Sequence, residues 1–103
     1  MIILHIGIDK MGLFTPNTYL DLVMLANARG VDPDKYTIGI GQDQMAIAPL
    51  SQDSVTMAAN AALEVLDDDN RDSIGLLILG TESGIDQSKA GALYVQRLLG
   101  LKN

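Results

Sequence analysis

The sequence predicts an α/β fold: an incomplete, parallel-type sheet with about three helices. Three observations point there. The run Ile74-Gly75-Leu76-Leu77-Ile78-Leu79 is short, almost wholly aliphatic, and bounded by Asp72-Ser73 and Gly80. Such a run reads as a strand buried on both faces, the kind found in parallel sheets. Val55, Ala58, Ala59, Ala62, Leu63 and Leu66 recur at helical spacing, as do Ala92, Val95 and Leu99. Strand-like runs and helical stripes also alternate along the chain, the order of α/β architectures with right-handed crossovers.

Composition narrows the functional classes. A chain of 103 residues holds at most one small domain, and residues 1–103 are expected to form a single partial one. With 48% hydrophobic residues but one Phe, three Tyr and no Trp, the core must be aliphatic. The net charge of −6 disfavours nucleic acid and anionic membrane surfaces, both of which call for a basic face. The absence of cysteine excludes disulfides, thiolate metal sites and a cysteine nucleophile within these residues. A lone His5 makes no histidine metal cluster. The apolar start is interrupted by His5, Gly7 and Asp9 and lacks a basic flank, so it is not a signal peptide. No run approaches the roughly 20 apolar residues that span a bilayer, and a cytoplasmic location is expected.

Ile2 to Ile8 is the first expected strand, with Ile2, Leu4, Ile6 and Ile8 on one face. His5, on the other, is expected to be a packed or edge-strand residue rather than a catalytic base. Met11 to Thr15 is either a second short strand or an extension of the first, ended by Pro16. Helix one is expected over about Thr18 to Ala28, with Thr18 and Asp21 as a capping box and Gly30 as its stop. It is apolar nearly all round, which implies burial on more than one side.

Val31 to Lys35 reads as a turn, because Pro33 fixes its own φ and Asp32 favours turn initiation. Arg29 and Lys35 flank it, either as two solvated cations or as a small phosphate anchor. Tyr36 to Gly41 is expected to be a short strand. Gly39 and Gly41 do not make a dinucleotide fingerprint, since no third glycine follows at the required spacing and no helix opens at once. They are expected to permit a bend or close backbone approach. Gln42 to Leu50 is irregular.

Helix two is expected to begin at Ser51 as N-cap, with Asp53 in its first turn and Asp67-Asp68-Asp69-Asn70 at its end. Those carboxylates lie where the helix dipole disfavours them and read as a solvated loop, so no metal site is expected. Helix three follows the Gly80–Gln87 turn, capped by Asp86 or Ser88 and stopped at Gly100.

In open parallel sheets ligands bind outside the C-terminal strand ends. Glu82 sits at such an end, in Gly80-Thr81-Glu82-Ser83. It is either a solvated loop carboxylate or a functional one.

The runs Tyr36-Thr-Ile-Gly-Ile-Gly-Gln42, Ser51-Gln-Asp53, Ala58-Ala-Asn-Ala61 and above all Gly80-Thr-Glu-Ser83 with Ile85-Asp86 and Ser88-Lys-Ala90 resemble the N-terminal part of bacterial hydroxymethylglutaryl-CoA synthases. The resemblance runs from about Ile6 to Leu101. It implies the N-terminal portion of a thiolase-like layered fold in a homodimer. It also implies condensation of acetyl-CoA with acetoacetyl-CoA in the mevalonate route of isoprenoid biosynthesis. In that family a cysteine is acetylated, a glutamate is general acid/base in carbon–carbon bond formation, and a histidine binds the acetoacetyl group. Glu82 matches the glutamate, which must lie in a partly desolvated pocket. Asp32 and Pro33 match a position lining the CoA pocket, and Lys35 stands beside them. No cofactor is implied, since the CoA thioesters are substrates.

Three departures accompany the match. The family's cysteine and histidine fall downstream of Asn103, His5 is not that histidine, and Gly84 stands where Ser or Thr is common. The 103 residues are therefore expected to be inactive without the remainder of a synthase chain. The alternative is a self-associating or complementing interaction module. A ketoacyl-carrier-protein synthase, which shares the fold, is disfavoured because those relatives do not use a glutamate at the Glu82 position.

Overall fold

Asp21 decides where the first helix begins. Its carboxylate accepts the Met24 amide at 2.9 Å and its backbone is extended, so it is the N-cap of α1 (Leu22–Arg29). The residues before an N-cap are free to pair elsewhere. Thr18–Asp21 do so as β1, antiparallel to β2 (Gln44–Ile47), with Thr18 opposite Ile47 and Asp21 opposite Gln44. The Thr18 hydroxyl donates to the Ile47 carbonyl at 2.6 Å. The expected helix start at Thr18 and the irregular stretch at 42–50 are both corrected by this one ladder.

The computed structural model describes Met1–Lys102; Asn103, the last residue of the expected 1–103 domain, lies outside the described residues. Two compact units are present, one from Thr15 to Gln52 and one from Met1–Phe14 with Asp53 onward.

In the Thr15–Gln52 unit, α1 buries only Leu22 and Ala26, while Val23 and Met24 are exposed, so it is not enclosed on several sides. Gly30 ends it at φ 64°, with Gly30 and Val31 amides closing on the Asn27 and Ala26 carbonyls. Asp32 accepts the Asp34 amide at 3.0 Å and leads into α2 (Asp34–Thr37), so the expected strand at 36–41 is instead helix and turn. The reason is local: Pro33 presets a helical φ of −54°, and the Ile38 and Gly39 amides both reach back to the Asp34 carbonyl. Gly39 serves the close approach foreseen for it, since a Cβ there would stand 2.6 Å from the Lys35 carbonyl oxygen.

The other unit is built on α3 (Ser54–Leu63) and α4 (Gly91–Leu99). Asp53, not Ser51, caps α3. Its carboxylate accepts the Thr56 amide while the Thr56 hydroxyl accepts the Asp53 amide, each at 2.8 Å, a reciprocal capping box. Val55 and Ala59 of α3 meet Val95 and Leu99 of α4 in the core, flanked by Ala58, Ala62, Leu66, Leu77, Leu79, Tyr94 and Leu101. The predicted stripes thus face each other. The absence of a Cβ at Gly91 lets Leu79 approach the start of α4, where a Cβ would lie 2.8 Å from the Leu79 methyl. Gly12 lies as closely against the Ala61 carbonyl, and Lys10 pairs with Asp67 at 3.4 Å. A short 3-10 turn at Arg71–Ser73 brings the Arg71 guanidinium to the Leu99 carbonyl.

Ile74–Leu79 is extended but joins no ladder among the described residues, and it is buried on one face only. Leu77 and Leu79 pack on the core, whereas Leu76 and Ile78 are 77% and 80% exposed. Ile2–Ile8 and Met11–Thr15 likewise form no strand; Ile2, Ile6 and Ile8 stand in the open, and His5 is exposed rather than packed. A strand buried on both faces needs neighbouring strands at its edges and helices on each side. Here α3 and α4 supply one side. The α/β class stands, with helices at three predicted places and α2 in addition. The ladder among the described residues is antiparallel, not the parallel kind expected.

Candidate functional site

Glu82 lies in an eleven-residue excursion, 80–90, between the apolar run and α4, and every residue of it is exposed. Two sets of hydrogen bonds shape it. Nearer Glu82, the Ser83 amide donates to the Thr81 hydroxyl at 3.0 Å, and the Ser54 hydroxyl donates to the Ser83 carbonyl at 2.7 Å. Ser54 is the first residue of α3, so this bond ties the excursion to the helical core.

At the far end, one Asp86 carboxylate oxygen accepts the Ser88 and Lys89 amides at 2.8 and 3.0 Å, and the other accepts the Tyr94 hydroxyl at 2.7 Å. The Lys89 ammonium lies 4.4 Å from the centre of the Tyr94 ring, a cation–π contact. The Lys89 amide above all, then the Ser88 amide and the Tyr94 hydroxyl, hold the Asp86 carboxyl down to about 2. The same bond pushes the Tyr94 phenol above its ordinary value. Asp86 therefore does not cap α4. The N-cap is Ala90, with no side-chain bond, because the Asp86 oxygens are engaged one turn earlier.

The expected desolvation of Glu82 is not supplied by the described residues, since its own loop is open to water. An open groove of about 220 Å³ between the apolar run and α4 is lined by Ile74, Leu77, Ala92 and Leu101 and does not include Glu82. Sequence reasoning missed Ser54 and Tyr94. The Asp53-x-x-Thr56 capping pair could have placed Ser54 in a rigid first helical turn. No sequence signal marks the Tyr94–Asp86 bond.

The other expected residues, Asp32, Pro33 and Lys35, belong to the Thr15–Gln52 unit, and Glu82 to the other. Asp32 and Lys35 are exposed and Pro33 is half-buried at the start of α2. Arg29 donates to the Tyr36 hydroxyl at 3.4 Å, and Lys35 precedes Tyr36 in α2. Arg29 and Lys35 thus flank the turn, with Lys35 exposed and Arg29 engaged by Tyr36.

Asp67 accepts the Asp69 and Asn70 amides and the Lys10 ammonium, and the Asn70 amide is the main cause of its lowered carboxyl pKa. Among the described residues no group of three or more His, Cys, Asp or Glu side chains is arranged to hold a metal ion, and no helix is long and apolar enough to cross a membrane.

Comparison with known proteins bears on this arrangement. The family model described as "Hydroxymethylglutaryl-coenzyme A synthase N terminal" matches residues 4–101. The hydroxymethylglutaryl-CoA synthase of Enterococcus faecalis is 55% identical over 97 residues, covering 94% of this chain and 25% of that protein. The polyketide biosynthesis 3-hydroxy-3-methylglutaryl-ACP synthase PksG of Bacillus subtilis is 36% identical over 98 residues, covering 92% and 23%. A crystal structure of an HMG-CoA synthase complexed with CoA superposes with a TM-score of 0.86 at 45% identity, over 94% of this chain and 25% of that one. The chain therefore spans about a quarter of the length of these relatives.

Proposed function

Since this chain belongs to the hydroxymethylglutaryl-CoA synthase family, whose members are condensing transferases with a thiolase-like fold, we propose that it serves as the N-terminal part of such a synthase. The reaction is the condensation of acetyl-CoA with acetoacetyl-CoA, in the mevalonate route, in a cytoplasmic homodimer. Glu82 is its general acid/base, removing or returning a proton as the new carbon–carbon bond forms. Asp32, Pro33 and Lys35 border the CoA moiety, with Lys35 placed to meet phosphate. CoA enters as part of the substrates and no separate cofactor is required.

The observation that carries the reading is the Gly80-Thr81-Glu82-Ser83 turn at the end of the apolar run, tied to α3 yet open to solvent on its outer side. A general acid/base must be held in place and reach substrate, and this turn offers both. Water exclusion around Glu82, which a proton-transfer carboxylate needs, is left to the rest of a synthase and to bound thioester. These 103 residues contain no cysteine, so alone they form no acyl-cysteine and are inactive.

A graft tests the reading. Residues 4–101 replace the matching segment of the Enterococcus faecalis synthase. The chimera is expected to condense the two thioesters. In it, Glu82→Gln is expected to keep cysteine acetylation while condensation falls by about 10²-fold or more. Unchanged condensation removes Glu82 from the mechanism.

One observation favours a second reading, a self-associating or complementing module. Ile2, Ile6, Ile8, Leu76 and Ile78 are all more than 75% exposed, and large apolar surfaces of this kind mark association. A chain acting in this way gains activity only with a partner, or sediments above its 11.0 kDa mass.

A further inference from the structure

We propose that Ser54 is a positioning residue for Glu82, acting through the Ser83 carbonyl; this rests on the reading of Glu82 as the general acid/base. The geometry is a short relay from the core to the loop. Val55 is 3% exposed and locked against α4, and Asp53 and Thr56 bond each other's amides on either side of Ser54. The Ser54 backbone is thus fixed from both directions. Its hydroxyl, a single rotor, spans 29 positions of sequence to donate to Ser83 at 2.7 Å.

Ser83 is the residue after Glu82, and its amide is the one that donates to Thr81 at 3.0 Å. Ser83 is therefore held on both sides, by Thr81 through its amide and by Ser54 through its carbonyl. Of these, only the Ser54 bond refers the turn to a helix; the Thr81 bond is internal to it. The Asp86–Tyr94 bond anchors the same excursion, but four residues beyond Glu82. Without the Ser54 hydroxyl, the turn carrying Glu82 loses its reference to α3 and the Ser83 peptide moves more freely, so that its amide leaves Thr81 more often. A carboxylate that transfers protons tolerates little misplacement, because a shift of about 1 Å can cost on the order of 10²-fold in rate.

Two measurements decide this. In the 103-residue chain, Ser54→Ala is expected to speed amide hydrogen exchange at Ser83, and Ser54→Thr, which keeps a hydroxyl, to restore it. Equal exchange in all three chains overturns the tether. In the Enterococcus faecalis chimera, Ser54→Ala is expected to lower kcat about tenfold with KM for both thioesters unchanged, Ser54→Thr to recover it, and Ser54→Ala added to Glu82→Gln to cost nothing further. A Ser54→Ala loss of the same factor in both backgrounds, a change in KM alone, or no change in kcat overturns the positioning role. If Glu82→Gln by itself leaves condensation intact, it is the Glu82 reading that fails, and the exchange data still judge the tether.

Discussion

Asp86 is the most heavily engaged carboxylate of the Glu82 loop, accepting two amides and a phenol while remaining at the surface. Its carboxyl is held at about 2, against an ordinary 3.8. A folded-state value below the unfolded one means that the stabilisation is complete above about pH 4 and is lost as pH falls through about 2. Thermal unfolding followed from pH 7 to pH 2 should show this loss in the native chain and a flatter profile for Asp86→Asn. Parallel profiles for the two proteins would mean that the Asp86 bonds do not hold the loop. The Tyr94 phenol, raised by the same bond, should fall back towards its ordinary value in that variant, which ultraviolet titration of the tyrosines would report. At this scale the sequence was informative about Glu82, whose place after an aliphatic run follows from residue order. It was silent about Tyr94, whose bond to Asp86 forms only when the loop folds back onto α4.

Elements divide by whether their determinants are local. α3, α4 and the glycine stops at Gly30 and Gly100, both at φ 64°, follow from apolar stripes and stop signals within a few residues of one another and were legible, whereas their N-caps, Asp53 for the expected Ser51 and Ala90 for the expected Asp86 or Ser88, were not. The Thr18–Asp21 strand was not, because its partner lies at Gln44–Ile47 and the same residues also satisfy a helix-start pattern. The Ile74–Leu79 run was legible as extended and apolar, but its two-faced burial depended on neighbours that residues 1–102 do not provide. The α3–α4 contact sets the clearest energetic test. Leu99 is 2% exposed and Leu98 56%. Leu99→Ala should destabilise its unit by about 3 kcal/mol in urea unfolding, and Leu98→Ala by no more than about 0.5 kcal/mol. Equal effects would contradict the assignment of the α4 core face.

Among the described residues few side chains are kept dry: six hydrophobic residues are buried while Met1, Ile2, Ile6, Ile8, Leu76 and Ile78 are left in the open. Extended apolar segments without ladder partners are poor surfaces for a solitary chain. At micromolar concentration, sedimentation of the isolated 103 residues should therefore give a mass above 11.0 kDa, and Leu76→Lys with Ile78→Lys should lower it. A monomer in both cases would dispose of the self-associating reading.

The β1–β2 ladder also bears on the order in which the chain folds. Contacts such as Gly12 with Ala61 and Lys10 with Asp67 join stretches far apart in sequence, and closing so long a span has an entropic cost. Once Thr18 stands opposite Ile47, the chain between them no longer counts towards that span. The free contour is shortened by more than half, which eases closure by roughly 0.6 kcal/mol. A ladder that zips early thus lets the first fourteen residues find α3 at a lower entropic cost.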